Sequence, residues 1–123
     1  MSPTGYIVIY EPDDLMCELL RRWLDEAGYG VTVVADEDEP CRVRPILVIA
    51  DISRPDSADA TIRTLHATYA APILALSTRF RRGLGGSIGA AQKLGVFSLL
   101  PKPFSREELL EAVDEAIKDP DAI

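Results

Sequence analysis

Five short runs of apolar residues, YIVIY at 6–10, VTVVA at 31–35, ILVIA at 46–50, ILAL at 73–76 and VFSLL at 96–100, constrain this chain more than any other feature. A strand with one face in water alternates apolar and polar side chains. A run that is apolar at nearly every position needs cover on both faces, which is the condition of strands inside a parallel sheet. Parallel neighbours cannot be joined by a tight turn, so each strand must be followed by a crossover segment, usually a helix.

The intervening segments supply those crossovers unevenly. After the first run, Leu15, Met16, Leu19, Leu20, Trp23, Leu24 and Ala27 recur at spacings of three and four and form one apolar stripe, ended by Gly28 and Gly30. After the fifth, Ser105 and Glu108 form a capping box ahead of Leu109, Leu110, Val113, Ala116 and Ile117, with Pro120 as the limit. A third helix is expected over 58–69, with Ile62, Leu65 and Ala70 near its inner face. The stretch 36–45 is broken by Pro40 and Pro45 and holds only a turn or two. The stretch 79–95 carries Gly83, Gly85, Gly86 and Gly89, each costing a helix interior about 1 kcal/mol against alanine, so a loop is expected there with helix only over 88–94. The reading is α/β: a doubly wound, five-stranded parallel sheet with helices on both faces, weak second and fourth helices, and a single domain over 1–123.

Composition agrees with one compact unit. Of the 123 residues 47% are hydrophobic and 27% charged, which excludes a disordered chain. A net charge of −7 argues against broad binding to nucleic-acid backbone. No apolar run approaches the roughly 20 residues that span a bilayer, and the N-terminus lacks a signal-peptide pattern, so a soluble cytoplasmic protein is expected. Cys17 and Cys41 are too few and too far apart for a zinc motif or a disulfide framework, and are read as reduced thiols.

In sheets of this kind ligands bind beyond the carboxyl ends of the strands. Those ends carry Glu11, Pro12, Asp13 and Asp14 after the first run, Asp51 after the third, Ser77 and Thr78 after the fourth, and Lys102 and Pro103 after the fifth. Carboxylates converging with a hydroxyl and an ammonium suit a hard divalent cation together with a phosphoryl group, and one carboxylate can itself be the nucleophile.

The order of acidic residues, then ILVIAD and ISRP with Asp51 and Pro55, then PILALS, then LLPKPF with Lys102, Pro103 and Phe104, resembles the CheY-like receiver domain of two-component response regulators along essentially the whole chain. The resemblance implies a flavodoxin-like sheet of order 2-1-3-4-5 and a histidine kinase or phosphotransfer protein that phosphorylates Asp51. It implies Ser77 as the switch hydroxyl, Lys102 as the phosphoryl contact, a cis Lys102–Pro103 peptide, and Mg²⁺ held by the Glu11 region, Asp51 and the Ser53 carbonyl. The signal would pass to a downstream protein or an output domain, and a second copy of the chain is a further candidate partner. Any enzymatic activity would be limited to autodephosphorylation. Phosphorylation would add about −1.5 to −2 charges, draw in Ser77 and Lys102, and shift an existing equilibrium in the face formed by the fourth and fifth helices.

The chain departs from that pattern in several places. Pro12 stands where the second acid of the family's pair belongs, leaving Asp13 either as a metal ligand or, with Asp14, as an acid at a helix N-terminus. Leu99 takes the place of an aromatic switch residue, with Phe97 on the same strand face by alternation as a substitute. Arg54 stands before Pro55 where many receivers carry methionine, either reaching the acidic pocket or solvated in its loop. These departures keep open an alternative, a degenerate receiver acting as a phosphorylation-independent binding module; the tail KDPDAI also suits a linker to a further domain.

The remaining signals are discounted. Gly83, Gly85 and Gly89 lack the third glycine of a dinucleotide fingerprint, because Ile88 stands there. Arg79, Arg81 and Arg82 read as a solvated loop, the acidic run 36–39 as an exposed turn, His66 as a helix residue without a phosphotransfer role, and Trp23 as core.

Overall fold

The structure, a computed structural model, describes residues 5–34, 44–53, 58–78 and 96–118. In chain order these form β1 (Tyr6–Tyr10), α1 (Asp14–Glu26), β2 (Gly30–Val33), β3 (Leu47–Asp51), α2 (Ala58–Thr68), β4 (Ile73–Ser77), β5 (Ser98–Pro101) and α3 (Arg106–Lys118). The five strands make one parallel sheet of order β2-β1-β3-β4-β5, as expected.

The unbroken apolar runs feed two cores by parity. In β1, Ile7 and Ile9 face one side and Val8 the other; in β3, Leu47 and Ile49 oppose Val48 and Ala50; in β4, Leu74 and Leu76 oppose Ile73 and Ala75. The first set packs with Leu20 and Leu24 of α1 and Leu109, Val113 and Ala116 of α3. The second set packs with Ile62 and Leu65 of α2. The α1/α3 face of the three central strands is thus built from leucine and isoleucine, and the α2 face mainly from valine and alanine.

Local chemistry sets the helix ends. Asp13 is the N-cap of α1, its carboxylate accepting the Leu15 and Met16 amides, and Asp14 lies in the first turn. The helix stops at Ala27, and Gly28 follows with φ 94°, a left-handed conformation that glycine adopts without steric cost. The expected capping box starts α3: the Ser105 N–H donates to Glu108 Oε1 at 3.0 Å and the Glu108 N–H to Ser105 Oγ at 3.1 Å.

Three local expectations are corrected. Gly30 is the first residue of β2 and takes no part in ending the helix. Tyr69, not Ala70, is the buried residue at the end of α2: Ala70 is exposed, while the Tyr69 N–H still bonds the Leu65 carbonyl and keeps its ring over the sheet. Phe97 does not share a face with Leu99. β5 starts at Ser98, and although the Phe97 N–H already bonds the Ile73 carbonyl, Phe97 packs on the α1/α3 side and Leu99 on the α2 side. The expectations for 36–43, for the loop at 79–95 with its helix at 88–94, and for Arg54 and Pro55 lie outside the described residues, as does Cys41.

Loss of the box should weaken the docking of α3. Ser105→Ala is expected to lower unfolding free energy by about 1 kcal/mol, read as a lower urea midpoint with unchanged slope.

Candidate functional site

Strand order reverses direction between β1 and β3, and this opens a crevice at their carboxyl ends. Glu11 leaves β1 there and Asp51 ends β3 beside it, in a register that pairs Tyr10 with Ala50. From the other side, β5 ends at Pro101 opposite Ser77, and the Lys102 N–H donates to the Ser77 carbonyl at 2.8 Å. That main-chain bond fixes the point from which the lysine side chain departs, and the Lys102–Pro103 peptide is cis, the isomer expected.

The side chains converge tightly. Lys102 Nζ lies 2.5 Å from Glu11 Oε1 and 3.3 Å from Asp51 Oδ1, so one ammonium bridges two carboxylates whose side chains are almost wholly out of solvent. The other Glu11 oxygen accepts the Asp13 N–H at 3.3 Å. The Ser53 hydroxyl donates to Asp51 Oδ1 at 2.5 Å and accepts the Thr78 N–H at 3.2 Å, tying the residues after β3 to those after β4. Ser77, the last residue of β4, is fully buried. Burial pushes the Glu11 carboxyl above its ordinary 4.5, with the Lys102 hydrogen bond pulling the other way.

Of the residues singled out by sequence, Glu11, Asp51, Ser53 and Lys102 come together, with Ser77 at the adjoining strand end. Asp13 does not join them: its carboxylate is turned to the amides of α1 and is exposed. Two participants escaped the sequence reading, which used only the carbonyl of Ser53. They are the Ser53 hydroxyl and the Thr78 amide. The available signal was parity, since residues 51 and 53 leave an extended segment on the same side.

Flanking the site, a cleft of about 350 Å³ is lined by Tyr10, Glu11, Pro12, Asp14, Cys17, Val33 and Val34. Cys17 is a free thiol, and burial, then the neighbouring Glu11 charge, push its pKa up. Trp23 meets Phe104 edge to face with ring centroids 6.4 Å apart, against the α1/α3 core, and His66 is exposed on α2.

Mg²⁺, which the family resemblance implies, asks for about six oxygens in octahedral array. Here two carboxylates already share an ammonium, Pro12 offers no side-chain donor, and Asp13 is committed to a helix end. Among the described residues no group of three or more acidic, histidine or cysteine side chains stands together as a cation site. Water commonly completes the octahedron around Mg²⁺, so the protein donors it would use here are Glu11, Asp51 and the Ser53 carbonyl, with Lys102 sharing the charge of both carboxylates.

With one acid fewer than the family's pair, the wild type is expected to gain less in thermal midpoint from millimolar Mg²⁺ than Pro12→Asp does; an equal rise in both would refute the role given to position 12. The raised Glu11 pKa also has a pH signature. A carboxyl that holds its proton more tightly when folded gives stability that is fully present below 4.5 and is lost as pH rises through the folded value. Glu11→Gln removes that titration. The stability of this variant relative to wild type should grow as pH is raised from 4.5 towards neutrality, measured by denaturant unfolding at each pH.

No protein-family model matches the chain. Among curated proteins it is similar to the transcriptional regulatory protein FixJ of Bradyrhizobium diazoefficiens, 29% identical over 124 residues, covering 96% of this chain and 59% of FixJ. It is also similar to the transcription factor SKN7 of Candida albicans, 24% identical over 125 residues, covering 97% of this chain and 22% of SKN7. The chain thus spans well under two thirds of either relative. Among solved structures, a response regulator from Thermotoga maritima superposes with a TM-score of 0.78 at 21% identity, over 97% of this chain and all of that one. Sheet order, crevice and sequence similarity point the same way: the chain has the CheY-like fold of the response regulator receiver domains it superposes on, and along that domain it is similar in sequence to the transcriptional regulatory protein FixJ.

Proposed function

We propose that this receiver takes a phosphoryl group on Asp51 from the phosphohistidine of a kinase or phosphotransfer protein and hands the resulting change to a separate protein or an output domain. The observation that carries this is the placement of Asp51 at the end of β3 with the Lys102 ammonium 3.3 Å from Oδ1. Phosphoryl transfer needs an in-line nucleophile and a charge to stabilise the equatorial oxygens, and these two residues supply them. Ser77 is the proposed switch hydroxyl, drawn towards the new charge. The proposed unit is one domain over 1–123, working in the cytoplasm, with a homodimer as one form in which it signals.

A second reading, a degenerate receiver that binds its partner without phosphorylation, is favoured by one feature. Glu11 is spent on Lys102, and Pro12 leaves no second acid, so the resting pocket is already charge-paired.

Intact mass separates the two. After incubation with Mg²⁺ and a small phosphodonor such as phosphoramidate, one phosphoryl adduct is expected on the wild type and none on Asp51→Asn. Absence of an adduct on the wild type at saturating donor would leave the binding-module reading in its place.

A further inference from the structure

Hydrogen bonding around Asp51 is lopsided. Oδ1 accepts the Ser53 hydroxyl at 2.5 Å and forms an ion pair with the Lys102 ammonium at 3.3 Å, while among the described residues no hydrogen bond is donated to Oδ2. The carboxylate keeps 10% side-chain exposure. A serine hydroxyl has one proton and two lone pairs. The Thr78 amide can only donate, so its bond to Ser53 Oγ occupies a lone pair and orients the hydroxyl. The single proton then has Asp51 as its acceptor.

We infer that Ser53 is a positioning residue for phosphoryl acceptance: held by the Thr78 amide, its hydroxyl pins Asp51 Oδ1 and leaves Oδ2 as the oxygen that attacks phosphorus. The inference rests on the phosphoacceptor reading. In the step, an Oδ2 lone pair forms the new O–P bond as the donor's P–N bond breaks, and that bond's electron pair leaves with the donor nitrogen, which is already protonated in phosphoramidate. Oδ1 becomes the carbonyl oxygen of the acyl phosphate and keeps the Ser53 hydrogen bond with the Lys102 ammonium beside it. Ser53 keeps its proton throughout. Its contribution is orientation: without the hydroxyl the carboxylate can rotate about its terminal bond, and only part of its population presents an oxygen in line.

The test compares wild type, Ser53→Ala and Ser53→Thr for the rate of phosphoryl incorporation from phosphoramidate, followed by intact mass at saturating donor. In parallel, deuterium exchange at the Thr78 amide reads the serine bridge directly. Ser53→Ala is expected to react about tenfold more slowly and to exchange faster at Thr78, and Ser53→Thr, which restores the hydroxyl, to react near the wild-type rate. If Ser53→Ala fails to fold, Ser53→Cys, of similar size but a weaker donor, takes its place with a slower rate expected. A wild-type rate in a folded Ser53→Ala or Ser53→Cys, or a Ser53→Thr as slow as the alanine variant, overturns the positioning role while leaving the phosphoacceptor reading intact. A wild type that takes no phosphoryl group overturns that reading and this inference with it, even where the Thr78 exchange behaves as described.

Discussion

One ammonium holds this pocket together. Glu11 and Asp51 are carried to the same crevice by adjacent strands whose register is set by ladder hydrogen bonds deep in the sheet, and neither strand can shift to relieve their repulsion. Two unit charges about 4 Å apart at an effective dielectric of about 20 interact by about 4 kcal/mol, comparable with a large share of a small domain's net stability. Lys102, bonded through its own N–H to the Ser77 carbonyl, delivers a positive charge between them from the far side of β4. The end of β5 and the turn that leads into α3 are therefore as much part of the site as the carboxylates themselves.

The parity of the sheet does comparable work at right angles to this. A one-residue slip of β3 would move Ile49 and Leu47 to the α2 side and turn every side chain of the strand over. The size difference between the two faces makes such a slip costly, because leucine and isoleucine would meet the space that Val48 and Ala50 fill. The burial pattern that fixes the core thus also fixes which way the segment after β3 faces, and with it the relation of Asp51 to Ser53.

Much of this was legible beforehand, and the limits are physical. Strands buried on both faces leave a hydrophobic record that is hard to mistake, and the Ser105 and Glu108 box announces α3 at the right residue. The residues at the strand ends follow directly, which is why Glu11, Asp51, Ser77 and Lys102 were readable as a group. What a sequence does not carry is the choice each polar side chain makes among neighbours. Asp13 prefers two helix amides to the pocket, and Glu11 pairs across 91 residues with Lys102. Ser53 turns its hydroxyl to Asp51 because a distant amide occupies its lone pair. Phe97 escapes for a related reason: strict alternation does not extend to the residue ahead of β5, which starts at Ser98, even though the Phe97 N–H is bonded to Ile73.

The contact between Trp23 and Phe104 bears on how such a pocket can be followed. Phe104 lies two residues beyond Lys102 on the same short turn, and its ring meets the edge of the chain's single tryptophan on α1. Any rearrangement that withdraws the lysine from its two carboxylates and drags that turn along must alter the surroundings of the indole. The molecule thus carries an optical gauge of its own charge balance, mounted on a helix outside the pocket and built without any added label.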